Sequence, residues 1–239
     1  MIGVTENLRK IRNLLAAAAV EAGRRPEDVH LLAVSKRQPL EKIVEAAAAG
    51  QRDFGENTVQ EGIEKVTKLA EEKGLCWHFI GHLQSNKTRA VAEHFDWVHS
   101  IDKLKTARRL SEQRPDSLGD LNVCIQVNID EEASKSGAAP ADVAELAREV
   151  AGLPRLRLRG LMCLPAIRET LAEQRLPFAR TRELAEAVKR DGIAMDTLSM
   201  GMSDDFRAAI LEGATIVRIG TAVFGPRDDS STANGSDHE

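Results

Sequence analysis

Two strong bases stand where apolar runs end. Lys36 follows LLAVS, and Arg218 lies inside TIVRI. A lysine at a strand tip either snorkels to water or faces a negative or electrophilic partner. An arginine inside an apolar run is costly unless an acceptor meets it, a salt bridge to a neighbouring strand being the plain alternative to a ligand. The chemistry on offer is specific. A lysine amine condenses with a carbonyl carbon, and a guanidinium presents a rigid fork of N–H donors to an acceptor atom. Just beyond Arg218 come Gly220 and Thr221, and upstream lies SMGMS, which brings Ser199, Gly201 and Ser203. Glycines that let backbone N–H groups approach, together with hydroxyls, are the material of a phosphate cradle. Ser203 suits a helix N-cap equally well, ahead of Asp204 and Asp205. Those acids already occupy the charge a helix start favours, so Gly220 and Thr221 carry more of the anion reading.

These groups need elements to position them. From Val29 onward, short β-type runs alternate with amphipathic helical patterns, the signature of parallel βαβ units. The spacing predicts strands at 29–34, 52–54, 76–80, 96–99, 122–127, 156–162, 196–199 and 215–219, and helices that include 39–49, 57–72, 102–112, 140–151, 177–190 and 204–212. About eight such units close a TIM-type barrel, a single (β/α)8 domain of about 250 residues, against 239 here. An additional helix at about 4–22 puts Leu8, Ile11, Leu15 and Ala18 on one stripe, fit to pack on the outside or bottom of the barrel. The barrel is expected over 1–227, and the polar, apolar-poor stretch 228–239 reads as a disordered tail.

In a barrel of this kind the strand ends share one face, and chemistry gathers there. Arg218 has the strand parity of Ile216 and Gly220 and so projects to the same side. A lysine after strand 1, an arginine in strand 8 and a phosphate cradle beside it fit a ligand with a carbonyl near one end and a phosphate at the other. Pyridoxal 5'-phosphate is such a ligand. An arginine at its pyridine nitrogen would leave that atom unprotonated and weaken the ring as an electron sink.

Composition narrows the partners. A net charge of −4, with 33 basic residues spread through helical stretches, gives no field for nucleic acid. The apolar segments are too short to span a membrane, and the start has no signal-peptide core, so a cytoplasmic protein is expected. Cys76, Cys124 and Cys163 lie in strand-like runs without a CxxC pair, which reads as buried thiols and not as disulfides or a metal cage. His78 and His82 have metal-like spacing, but WHFIGH reads as a strand entering a turn, so the rings would not share a helical face. No metal is expected.

LLAVSK, FGENTVQE, WHFIGHLQSNK, SKSG, RGLMCLP, SMGMSDDF and VRIGTAVFG resemble, in order and spacing, the YggS/PROSC family of pyridoxal phosphate homeostasis proteins. The resemblance runs from about residue 5 to 227. It implies a barrel like the N-terminal domain of bacterial alanine racemases, with pyridoxal phosphate as an internal aldimine on Lys36. It also implies Arg218 facing the pyridine nitrogen, Ser199, Gly201, Ser203, Gly220 and Thr221 around the phosphate, and Asn57 close to the cofactor. Two local departures concern the rim: Thr58 stands where an aromatic often follows FGEN, and 166–176 does not read like the family's acidic, serine-containing loop.

Likeness to a racemase does not confer racemase chemistry. In alanine racemases the second proton donor is a tyrosine contributed by a C-terminal β-domain of the partner subunit. This sequence has no tyrosine and ends soon after the eighth expected strand. His82, His99 and Cys163 are other candidate bases, though nothing in the sequence places them opposite Lys36. The expectation is a non-catalytic carrier that buffers the cofactor and hands it transiently to apo-enzymes, as a monomer. A one-base pyridoxal phosphate enzyme acting on amino acids is the alternative, and a cofactor-free Schiff-base enzyme acting on a phosphorylated sugar is a third.

Overall fold

The structure is a computed structural model and describes residues 3–132 and 135–226. The expected tail at 228–239, and residues 1–2, 133–134 and 227 of the expected 1–227 barrel, fall outside the described residues.

The eight strands are β1 (His30–Val34), β2 (Asp53–Glu56), β3 (Cys76–Phe79), β4 (Trp97–Ile101), β5 (Leu121–Val127), β6 (Leu156–Cys163), β7 (Thr197–Ser199) and β8 (Ile216–Ile219). Each pairs in parallel with the next, and β8 pairs with β1, so the sheet closes into a barrel in chain order. Closure removes the unpaired edges an open sheet would expose.

The helices among the described residues are α1 (Val4–Glu21), α2 (Leu40–Ala48), α3 (Val59–Lys68), α4 (Thr88–His94), α5 (Leu104–Gln113), α6 (Val143–Ala151), α7 (Leu171–Arg190), α8 (Phe206–Leu211) and α9 (Thr221–Phe224). In α1 the buried positions include Leu8, Ile11, Leu15 and Ala18, the expected stripe, and they pack on α2, α8 and α9 in the outer helical layer.

Two helices depart from expectation. α3 ends at Lys68, short of 72. α7 begins at Leu171, ahead of 177, with Pro177 inside it. A proline favours a first turn, but a capping box competes and wins. The Thr170 side chain accepts from the Glu173 N–H while the Glu173 carboxylate accepts from the Thr170 N–H. Much of the segment 166–176 is therefore helix, and its opening is held by Arg168, which pairs with Asp130 at 2.6 Å.

Side chains on alternate strand residues separate into two layers. Phe54, Trp77, Phe79 and Phe95 pack between sheet and helices, with Phe54–Trp77 at 5.6 Å and Phe79–Phe95 at 5.5 Å between ring centroids. The opposite parity faces the barrel interior and mixes apolar residues such as Leu32 and Met162 with polar ones: His99 of β4 reaches Ser199 of β7, a contact that only the barrel interior permits.

Candidate functional site at the C-terminal rim

Lys36 leaves β1 half-buried, on the parity of Leu32 and Val34. The β1–β8 register sets Leu32 against Arg218 and Ala33 against Ile219, so Lys36 and the Gly220–Thr221 turn leave adjacent strand ends. The backbone around Lys36 is anchored from behind. Ser35 Oγ donates to Glu56 Oε1 at 2.6 Å, and Lys65 Nζ donates to the Ser35 carbonyl at 2.7 Å and to Glu56 Oε1 at 2.9 Å. Arg37 adopts the left-handed region, φ 55, and its N–H donates to Glu61 Oε1 at 2.6 Å. Burial pushes the Glu56 carboxyl above its ordinary range, with Lys65 and Ser35 opposing the shift. None of Ser35, Glu56 or Lys65 is an expected site residue. The lysine at the fourth turn position after Glu61 is the only sequence signal, and it reads as an ordinary i,i+4 pair.

Arg218 is buried, and neutral oxygens receive its donors: Nη1 donates to Ser199 Oγ at 2.8 Å and Nη2 to the Cys163 carbonyl at 2.9 Å. Burial lowers its pKa from the ordinary arginine value. The plain salt bridge, the alternative to a ligand, is not what meets this guanidinium: among the described residues no carboxylate is in hydrogen-bond contact with it. Ser199 Oγ also lies 2.8 Å from His99 Nδ1, and His99 Nε2 lies 2.9 Å from His78 Nδ1. Burial, reinforced by His78 and Arg218, holds His99 well below the ordinary histidine range and keeps it neutral. Ser199 is therefore a buried support beneath Arg218, in a line of hydrogen bonds down the barrel axis.

The loops after β7 and β8 are built from close backbone. Gly201 has φ 95, and a Cβ there would lie 2.6 Å from the Ala209 methyl, so glycine is required on both grounds. Its carbonyl accepts from the Arg218 N–H at 3.0 Å, which ties this loop to β8. The cap position of α8 is Asp205 and not Ser203. Asp205 Oδ1 accepts from the Met202 N–H at 2.6 Å, leaving Ser203 half-buried in the turn with its cap role taken. A Cβ on Gly220 would sit 3.1 Å from the Val34 carbonyl oxygen, and Thr221 opens α9 with its side chain exposed. Asn57, exposed beyond β2, packs its carbonyl where a Cβ on Gly81 would stand.

All eight expected residues thus fall at the ends of β7, β8, β1 and β2, four consecutive staves of one rim. The donor set there is an amine, a guanidinium with neutral partners, two hydroxyls and side-chain-free backbone on two loops. It fits a ligand that carries an electrophilic carbon, an acceptor nitrogen and a phosphate. His78 and His82, whose rings were not expected to share a face, stand apart: His78 is inside the barrel, while His82 is exposed at the rim, 3.2 Å from Ser136 Oγ.

Fold and rim together define an alanine-racemase-type barrel, and residues 4–228 match the family model described as "Alanine racemase, N-terminal domain". The chain is 56% identical over 234 residues to the pyridoxal phosphate homeostasis protein of Pseudomonas aeruginosa, covering 98% of this chain and 100% of that protein. It is 54% identical over 235 residues to the protein of the same name from Escherichia coli K12, covering 96% and 99%. A solved structure of PipY from Synechococcus elongatus PCC7942 with PLP bound superposes with a TM-score of 0.81 at 38% identity, covering 93% of this chain and all of that one. The chain belongs to the pyridoxal phosphate homeostasis protein family.

Proposed function

We propose that this chain binds pyridoxal 5'-phosphate at the C-terminal rim and serves as a non-catalytic carrier in pyridoxal phosphate homeostasis. The observation that carries the reading is the β1–β8 register, which sets Lys36 beside the Gly220–Thr221 turn and above the inward-facing Arg218. When bound, pyridoxal phosphate supplies an aldehyde that a lysine amine takes covalently and a ring that delocalises charge. The chain's own residues hold it. Lys36 is the covalent anchor and Arg218 the donor toward the pyridine nitrogen. Gly201, Ser203, Gly220 and Thr221 surround the phosphate, and Asn57 closes the β2 side. Ser199 holds Arg218 in place, which adds a positioning role to the phosphate contact expected of it. Asp205 occupies the Met202 N–H, so the loop after β8 supplies the larger share of the anion's donors.

The relatives' names and the PLP-bound PipY structure support this reading. Among the described residues no helix is long and apolar enough to cross a membrane. A cytoplasmic monomer that meets apo-enzymes transiently, with residues 1–227 as the binding barrel, completes the proposal.

The test is borohydride reduction of the loaded protein followed by peptide mapping. The pyridoxyl label is expected on Lys36, and recovery mainly on Lys87 or Lys135 would refute the assignment. Activation of an apo-enzyme by the loaded protein faster than spontaneous release allows would establish the carrier role.

A further inference from the structure

The opposite end of the barrel holds a second cluster. Asp53 and Cys76 are the first residues of β2 and β3 and are paired in register, and His78 follows on the same parity. One ligand-type atom from each lies within 4.8 Å of the others. His78 Nε2 is 3.3 Å from Cys76 Sγ and 3.2 Å from Asp53 Oδ1. Bond lengths of about 2.0–2.3 Å to a tetrahedral zinc ion place its ligand atoms about 3.3–3.7 Å apart, so the two separations from His78 are close to the spacing zinc requires. We propose that Asp53, Cys76 and His78 form a binding site for a borderline divalent transition ion of the zinc class at the N-terminal mouth of the barrel.

Three further features support it. The ring of His78 is fixed: it stacks on Trp97 at 5.2 Å and 11°, and its Nδ1 is 2.9 Å from His99 Nε2. A ligating imidazole coordinates through one nitrogen and donates its other N–H to a fixed acceptor, and His99 Nε2 stands in position to be that acceptor. Asp53 and His78 line a cavity of about 610 Å³, which provides an entry path and room for a water as fourth ligand. The arginines of that cavity are committed elsewhere. Arg159 pairs with Asp196 at 2.8 Å and lies over Trp97, and Arg24 donates to the carbonyls of Ile210, Ala214 and Asp28.

The Asp53 carboxylate, paired in register with Cys76 and 3.2 Å from His78 Nε2, supplies negative charge that favours a divalent cation. On binding, the ion takes one sulfur, one nitrogen and one oxygen. The thiol proton leaves to solvent, the imidazole coordinates through Nε2 with Nδ1 toward His99, and no redox change occurs. Sequence spacing hid the site because it paired His78 with His82, whereas strand register pairs His78 with residues of its own and the neighbouring strand. A sulfur, imidazole and carboxylate set selects zinc or cobalt over magnesium or calcium.

The experiment titrates Zn2+, Co2+ and Mg2+ into the PLP-loaded protein, after chelator treatment, with a colorimetric competitor. Parallel samples carry Cys76→Ser, Asp53→Asn and Lys36→Ala, each checked for an unchanged melting profile. One Zn2+ per chain is expected, with a four-coordinate Co2+ spectrum bearing a thiolate charge-transfer band that Cys76→Ser abolishes. Each ligand substitution should weaken Zn2+ about tenfold or more, Lys36→Ala should leave it unchanged, and Mg2+ should not compete. Binding that survives both Cys76→Ser and Asp53→Asn overturns the proposal. So does binding lost in Lys36→Ala, which would put the ion on the cofactor rim, and so does a six-coordinate cobalt spectrum or no Zn2+ uptake. A failure to bind pyridoxal phosphate leaves this test intact, since the Lys36→Ala arm runs without the cofactor's anchor.

Discussion

The ammonium of Lys65 lies 2.7 Å from the carbonyl oxygen of Ser35, the residue immediately before Lys36, and the same nitrogen pairs with Glu56 at 2.9 Å. Helix α3 thereby holds the exit of β1 from behind the barrel wall. Lys65→Met removes the cation that, among the described residues, is bonded to the fully buried Glu56 carboxylate, and frees the turn that carries Lys36. Breaking a buried pair on one side costs about 3–5 kcal/mol. Lys65→Met is expected to lose stability on that scale in urea denaturation and to retain pyridoxal phosphate less well. The double variant Lys65→Met with Glu56→Gln should recover much of the stability but not the retention. Full recovery of both would mean that the triad serves folding alone.

The anion loops should divide by ligand. Thr221→Ala removes an exposed hydroxyl at the start of α9, and a charge-assisted hydrogen bond is worth about 1.5–3 kcal/mol. Weaker binding of pyridoxal phosphate by about tenfold or more is therefore expected, with pyridoxal, which has no phosphate, nearly unaffected. Gly220→Ala acts differently, because its Cβ would press at 3.1 Å on the carbonyl of Val34, on the strand that carries Lys36. Both ligands should weaken. Equilibrium titration of the two variants with the two ligands decides it, and equal weakening by Thr221→Ala would remove that hydroxyl from the phosphate.

Much of this rim was legible because strand ends in a parallel barrel are both short and apolar up to the point where function begins. LLAV, CWHF and TIVRI each stop where the structure stops the strand, to within a residue or two, and the lysine, glycines and hydroxyls follow. What escaped is non-local. The support of Arg218 by Ser199 and His99 depends on β4 facing β7 across the barrel, a contact 100 positions apart in sequence that parity alone does not identify. The Lys65 anchor looked like an i,i+4 pair with Glu61, which it also is, at 2.7 Å. Helix α7 begins at Leu171 and not at 177 because Thr170 and Glu173 carry a stronger start signal than Pro177. Helix α4 is only Thr88–His94, too short for periodicity to show.

His99 gives the fold a signature in pH. Its folded pKa lies well below 6.5, while the unfolded chain binds a proton near that value. Below it the unfolded state therefore holds more protons, so stability falls as pH falls, by up to about 1.4 kcal/mol per pH unit until the folded pKa is reached. The contribution is fully present above the unfolded value. His78, Arg218 and Ser199 face the ring from β3, β8 and β7. His99→Gln should flatten the dependence between pH 6.5 and 5 relative to the parent. The raised carboxyls Glu56 and Asp205 act in the opposite sense but are common to both proteins. Parallel slopes in denaturation at several pH values would show that His99 titrates normally in the fold.

The carrier reading predicts no amino-acid turnover, and the prediction rests on where the candidate bases stand. A racemase-type reaction needs a proton donor on each face of the reacting carbon, and positioned acid–base help is commonly worth about a hundred- to ten-thousandfold. Burial pushes the Cys163 thiol up to about 11, so it is protonated at neutral pH and a poor base. His99 has both ring nitrogens engaged, with Ser199 and His78. His82 is exposed and bonded to Ser136, and the sequence contains no tyrosine. Of these candidates, Lys36 is the one the β1–β8 register sets beside the proposed phosphate turn. Incubation of the loaded protein with single L- and D-amino acids should therefore show no change of chirality, no keto acid and no exchange of the α-proton for deuterium above the rate of free pyridoxal phosphate. Enzyme-like turnover that disappears with Lys36→Ala would overturn the carrier reading, and its further loss with His82→Gln would name the second base.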